Sequence, residues 1–277
     1  MAAVVVMPSR LSSAELDELA FAARCLDGGG FAARLAERFG RSVEAIGRNL
    51  PQSLRRLAGR AAERALRAAL AVALRTIDHA APAKAARGAH KAATAASGAI
   101  GGAFGPLATA VELPVSTAIL MRSIAQIARE EGEDTTRPEG ALACLEVFAL
   151  GGEPGEAAIE GGYFAVRAAL ARSVAESARF LAERSLAGEG APLIARLIAQ
   201  IAARFGLVAG EKFAAQAVPI VGAIGGAAVN LAFAEHFQTL ARGHFIVRRL
   251  ERRHGAEAVQ FEFQRLRGGA ASAGEAI

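Results

Sequence analysis

Residues Lys212–Gly255 read KFAAQAVPIVGAIGGAAVNLAFAEHFQTLARGHFIVRRLERRHG, and the fold turns on how this stretch is read. From Phe213 to Ala234 it holds no charged residue. That is about the 20 residues a helix needs to cross a bilayer. Yet it is mostly alanine and glycine, with Gln216, Pro219 and Asn230 inside. Beyond it, Phe233, His236, Phe237, Leu240 and His244 share an apolar side, and Glu235, Arg242, Arg249 and Arg253 take the wet side. The spacing predicts helices over Glu211–Ala228 and Leu231–His254, with Pro219 shaping the first.

The string GAIGGA at Gly222–Ala227 also occurs at Gly98–Ala103, inside a second uncharged stretch from Ala92 to Val111. Gly98 and Gly102 are four apart, as are Gly222 and Gly226. This spacing bares the backbone on one helix face and lets another helix approach closely. Each helical glycine costs roughly 0.5–1 kcal/mol relative to alanine, so close packing must offset the loss. Two readings follow: a membrane hairpin, or two tightly packed interior helices. The chain has no Trp and one Tyr, so aromatic belts at headgroup depth are nearly absent. With the internal Gln, Asn and prolines, that favours buried or peripheral packing. The string lacks the Lys-Ser/Thr of a phosphate loop and the spacing of a dinucleotide fingerprint.

Alanine and leucine dominate a chain that is 53% apolar and 5% aromatic, and no hairpin turn joins alternating runs. The fold class is therefore all-α: a multi-helix bundle with two glycine-rich central helices. Cys25 and Cys144 are too few for a disulfide scaffold and lack metal spacing. No metal or cofactor is expected. The N-terminus MAAVVVMPSR has no basic region and too short an apolar run for a signal peptide. A cytoplasmic location is expected.

The net charge is +5, but between Arg41 and Lys91 eleven Lys/Arg face three Asp/Glu, so the excess belongs to that segment. There Arg56, Arg60, Arg64 and Arg67 form one helical stripe, beside a row of Leu66, Leu70 and Ile77. Such a stripe can lie on anionic lipid. A solvated helix face is the commoner use. The run Arg248-Arg249-Leu250-Glu251-Arg252-Arg253-His254 can meet phosphates, but no stacking aromatics or known module accompany it, so nucleic acid is not an expected partner.

Further helices are expected from Ser12 or Ser13 to Cys25, over Phe31–Phe39, and over Leu113–Glu130 with Pro114 in its first turn. Another should start at a Thr136–Glu139 capping box and end at Gly151-Gly152. Glu156–Leu186 and Pro192–Leu207 complete the set. Residues 1–83 read as a basic N-terminal helical region, 84–267 as one helical domain, and 268–277 as a disordered tail.

Several polar residues stand in apolar surroundings. Glu146 lies in ACLEVFAL, where a charge needs a partner, and Arg122 or Lys212 are the candidates. Lys212 and Gln216 are four apart and face one way. His236 and His244 are too far apart on one helix to chelate an ion, and most simply are satisfied core residues. The sharper alternative makes Glu146 an acid or base beside His236, in a hydrolase of lipid or envelope substrates.

Three stretches resemble the EcsC family of bacterial proteins: LPVSTAILMRSIAQIAREEGED (Leu113–Asp134), ACLEVFALGG (Ala143–Gly152) and Lys212–Gly255. The order K-x-x-x-Q-x-x-P-x-x-G-A, then Asn, then R-R-L-E, carries most of the likeness. It spans roughly Lys84 to Gly255. The resemblance implies a helical protein associated with an ABC exporter operon, transport or the cell envelope, with no established reaction, cofactor or catalytic set. Its motif positions here are Arg122, Glu146, Lys212, Gln216, Pro219, Gly222, Asn230, His236 and His244. The expected function is that of a membrane-associated accessory protein at the inner face of the membrane. Lipid or a membrane protein, an ABC exporter included, would be its partner.

Overall fold

The computed structural model describes residues 11–27, 30–39, 51–78, 87–151, 156–183, 191–216 and 222–274. Side-chain surroundings are described for these except 37–39, 76–78, 87–107, 156–161, 191, 222–225 and 268–274. The described residues form nine α-helices and no strand. They are α1 (Ser13–Asp27), α2 (Phe31–Phe39), α3 (Gln52–Asp78), α4 (Arg87–Glu130), α5 (Pro138–Leu150), α6 (Glu156–Ala182), α7 (Ala191–Gln216), α8 (Gly222–His254) and α9 (Ala256–Gly274).

The two helices that carry GAIGGA, α4 and α8, form the most extensive helix pair, and α8 also meets α1, α2, α5, α7 and α9. Gly226 is buried. The surroundings of Gly98, Gly102 and Gly222 lie outside the described residues. Against α4 and α7 lies α3, whose inner face is Ala58, Ala61, Ala62, Ala65, Leu66, Ala69, Leu70 and Ala73, all buried. This three-and-four spacing of small residues is what lets α3 sit close to α4 and α7. Where α3 crosses α7, a Cβ on Gly206 would stand 3.9 Å from the Gly59 Cα.

Phenylalanines from four helices fill the centre. Phe148 meets Phe205 and Phe237 at ring-centroid distances of 5.2 Å, and Phe31 meets Phe233 edge-on at 5.6 Å. A second cluster of Leu19, Ala22, Tyr163, Val247, Leu250, Val259 and Phe263 seals α1, α6, α8 and α9. Gly243 lets α1 approach, because a Cβ there would fall 2.9 Å from the Ala22 carbonyl oxygen and 2.8 Å from Leu26.

Several boundaries differ from those the sequence predicts. Pro114 lies inside the continuous helix α4, not in a first turn. Its missing N–H breaks one rung of the ladder. The Thr136–Glu139 capping box does not form: Thr136 bonds Asp134, Arg137 is the N-cap, and Pro138 opens the helix. Helix α5 does end at Leu150, but Gly151 has φ −77°, so no left-handed cap requires it. Its reason is steric, since a Cβ would fall 2.6 Å from the Phe237 ring. Helix α7 runs unbroken through Val208–Gly210 to Gln216, and α8 begins at Gly222. Pro219 lies outside the described residues. The stretch from Gly268, expected as tail, continues α9 to Gly274.

Among the described residues one helix segment, Pro192–Gln216, is long and apolar enough to cross a bilayer by length and composition. It is neither of the two stretches singled out by the sequence. In the bundle it contributes Leu197, Ile198, Ile201, Phe205, Val208 and Phe213 to the core.

Candidate functional site

Most of the polar motif positions gather in two buried seams on α8, and the arginine stripe lies on the exposed face of α3.

The first seam lies where α4, α7 and α8 meet. Lys212 Nζ donates to Glu112 Oε2 at 2.8 Å and to Ser116 Oγ at 3.3 Å. Asn230 Nδ2 donates to the other carboxylate oxygen at 2.8 Å. Thr109 donates its hydroxyl to Gln216 Oε1, one helical turn from Lys212. The Lys212 ammonium also sits 4.6 Å from the Phe233 ring centroid. Burial pushes the Glu112 carboxyl up, but the Lys212 charge and the hydrogen bonds of Lys212, Asn230 and Ser116 reverse this and hold it below its ordinary value. The burial cost falls on Lys212, which is fully enclosed and pushed down despite its partner. Helices need no ion pair to pack, and this one ties three helices at a fixed register.

The second seam joins α5, α6 and α8. Tyr163 Oη lies 2.9 Å from His244 Nδ1, and His244 Nε2 lies 3.9 Å from Glu146 Oε2. Two bidentate ion pairs flank them. Arg248 grips Glu133 at 3.0 and 2.8 Å, and Arg167 grips Glu251 at 2.7 and 2.9 Å. Burial raises the Glu146 carboxyl to about 7 against the pull of Arg248 and Arg167. Burial drives His244 well down, so its ring is neutral.

These contacts correct two expectations. Glu146 pairs with neither Arg122, which is exposed, nor Lys212, which belongs to Glu112. Nor does His236 join Glu146. Its Nε2 donates to the Gly151 carbonyl at 3.2 Å, and its ring packs on Phe237 and Phe31. Burial pushes His236 to about 4, so it too is neutral. The histidine beside Glu146 is His244. Tyr163 and Glu133, which complete this seam, carried no sequence signal of their own, because their partners lie 81 and 115 residues away. No group of three or more metal-binding side chains occurs among the described residues.

The basic end of α8 is neutralised within the chain. Arg252 binds Glu133 and the Glu131 carbonyl, Arg249 binds Glu18 and Glu131, and His254 meets Glu15 at 2.8 Å. The connector that supplies Glu131 and Glu133 is set by Gly132 at φ 74°, with Glu133 N–H donating to the Ala128 carbonyl at 2.9 Å and Gly132 N–H to the Arg129 carbonyl at 3.0 Å.

On α3 the outcome is opposite. Arg56, Arg60, Arg64 and Arg67 are all exposed and make no ion pair among the described residues. Leu207, 54% exposed, follows the Gly206 that crosses Gly59 between Arg56 and Arg60.

No curated protein and no solved structure matches the chain. A protein family does, over residues 36–250, which takes in α3 and its arginines as well as both seams. With most of its length so matched, this chain belongs to the EcsC protein family.

Proposed function

We propose that this protein is a membrane-associated helical accessory protein of bacterial envelope or ABC-export processes, resting on the inner face of the membrane through α3. The observation that carries the reading is the stripe of four exposed arginines that make no ion pair among the described residues. Helix α3 carries six Arg against one Glu and one Asp. Its inner face is committed to the core, so the outer face presents charge and little else. Near an anionic leaflet each such arginine contributes about 1 kcal/mol, and the attraction fades within a Debye length. Four together supply a peripheral, salt-sensitive hold without a buried span. Leu207 beside the α3–α7 crossing offers an apolar foothold at that edge.

Co-sedimentation of the full chain with vesicles tests the reading. Binding is expected to phosphatidylglycerol-containing vesicles at low salt, with release at high salt and little binding to phosphatidylcholine alone. Replacing Arg56, Arg60, Arg64 and Arg67 by Gln should weaken binding by about a hundredfold or more. Absence of binding to anionic vesicles at low salt refutes the reading. Binding that survives salt and carbonate washes would assign the hold to inserted apolar helices instead.

A further inference from the structure

Between Lys91 and Arg122 helix α4 carries one charged residue, Glu112. At 1.5 Å per residue that stretch is about 45 Å long. Its single charge is turned inward. Glu112 is 7% exposed, with Lys212 Nζ on one carboxylate oxygen and Asn230 Nδ2 on the other, both at 2.8 Å. From residue 108, where its surroundings are described, α4 therefore shows no charge on its outer face until Arg122.

That outer face is apolar. Five large apolar side chains are exposed among the described residues. Phe21, Leu207 and Phe261 come from three different helices, α1, α7 and α9, as scattered surface apolar residues do. Val111 and Val115, 74% and 53% exposed, stand one turn apart on α4. Pro114, Ala118 and Ile119 are partly exposed around them, while Leu113, Ser116 and Leu120 are buried in the bundle. At 100° per residue the five outer positions fall within an arc of about 140°. Arg122, which is exposed, falls near the middle of that arc at its C-terminal end.

The chemistry of the arc selects its occupant. A partner helix is registered on an apolar ridge by charges that flank it. The flanks here are Pro114 and Ile119, which fix no register and only widen the apolar surface. An uncharged arc that ends in a cation matches the boundary between acyl chains and anionic headgroups. The valines enter the chains, and the Arg122 stem lies along them while its guanidinium reaches a phosphate. Helix α3 packs along α4, so the arginine stripe and this ridge belong to neighbouring helices.

We propose that the α4 face centred on Val111 and Val115 is a lipid-contact surface that enters the acyl–headgroup boundary of an anionic bilayer, with Arg122 at headgroup depth. The inference rests on the membrane reading above and adds an apolar half to the contact. Two part-exposed valines are too little to hold a protein alone, so release by salt is retained. The Lys212–Glu112–Asn230 seam then does more than fix a register: it keeps the one charge of this stretch off the lipid side.

The chain has no Trp, so Val115→Trp places a single indole at an exposed position of the full chain. It is mixed at low salt with phosphatidylglycerol-containing vesicles whose acyl chains are brominated. A blue shift on binding and quenching to about half or less are expected. Phe261→Trp, on α9 and similarly exposed, should stay unquenched. Binding without quenching at 115, or equal quenching at 261, overturns this inference and leaves the α3 reading standing. Failure of the unaltered chain to bind removes both. A blue shift without vesicles that grows with protein concentration assigns the ridge to a second copy of the chain and also overturns the inference. Should Val115→Trp fail to fold, Val111→Ser with Val115→Ser decides. Vesicle affinity about tenfold lower with helicity unchanged supports the lipid contact, and unchanged affinity refutes it.

Discussion

Two arginine-rich stretches meet opposite ends in this fold. From Arg248 to His254, Arg248, Arg249, Arg252, Arg253 and His254 all reach glutamates of α1 or of the connector after α4. From Arg56 to Arg67, four arginines point outward and hold nothing among the described residues. On sequence alone the C-terminal run looks the more eager for phosphate, being denser. The lesson is that charge density does not identify an external partner. What matters is whether the chain supplies the counter-charge itself. In the first region arginine staples elements together, and in the second it stays exposed with no ion pair among the described residues.

The sharpest way to test the internal use of charge lies deeper still. Lys212→Met strands the Glu112 carboxylate among α4, α7 and α8 and should cost about 3–5 kcal/mol in urea unfolding. Adding Glu112→Gln should restore most of it, since the stranded charge is then gone. A single variant with unchanged stability would show that the seam is not dry. Next comes the C-terminal staple. Glu133→Ala removes the acid gripped by both Arg248 and Arg252, and a loss of about 2–4 kcal/mol is expected. The matching change on α3, Glu63→Ala, should stay within about 0.5 kcal/mol. Equal effects would erase the distinction between the two regions. Smallest of all, replacing Arg56, Arg60, Arg64 and Arg67 one at a time by Gln should shift the thermal midpoint by no more than about 0.5 kcal/mol of stability each. A large shift would mean that the stripe is structural.

Much of the helical framework was legible because alanine, leucine and three-and-four spacing speak locally. Phe31–Phe39 has the bounds expected of it, and Ser12 caps α1 by accepting from the Glu15 N–H at 3.3 Å. Lys212, Gln216, Asn230 and His244 stood out as polar residues in apolar runs, and each is buried with a polar neighbour. Their partners were not legible. Lys212 and Glu112 are 100 residues apart, and Asn230 and Glu112 are 118 apart. Nothing in local periodicity encodes such a pairing. Local rules also misled where tertiary packing overrode them. Pro114 reads as a helix start, but α4 carries through it because α3 and α8 embrace its flanks. The sequence predicts a helix ending at Leu207, yet α7 continues to Gln216, held by buried Val208, Ala209 and Phe213.

The turn at Gly132 has a consequence for the growing chain. Its two glutamates answer to arginines made much later, with 119 residues between Glu133 and Arg252. At ribosomal speeds of roughly 5–20 residues per second, that interval is on the order of ten seconds. During it Glu131 and Glu133 lack the arginines that bind them in the folded chain. Closure is therefore an event of late synthesis, and a chain stalled before its final arginines would leave the exit tunnel unlatched.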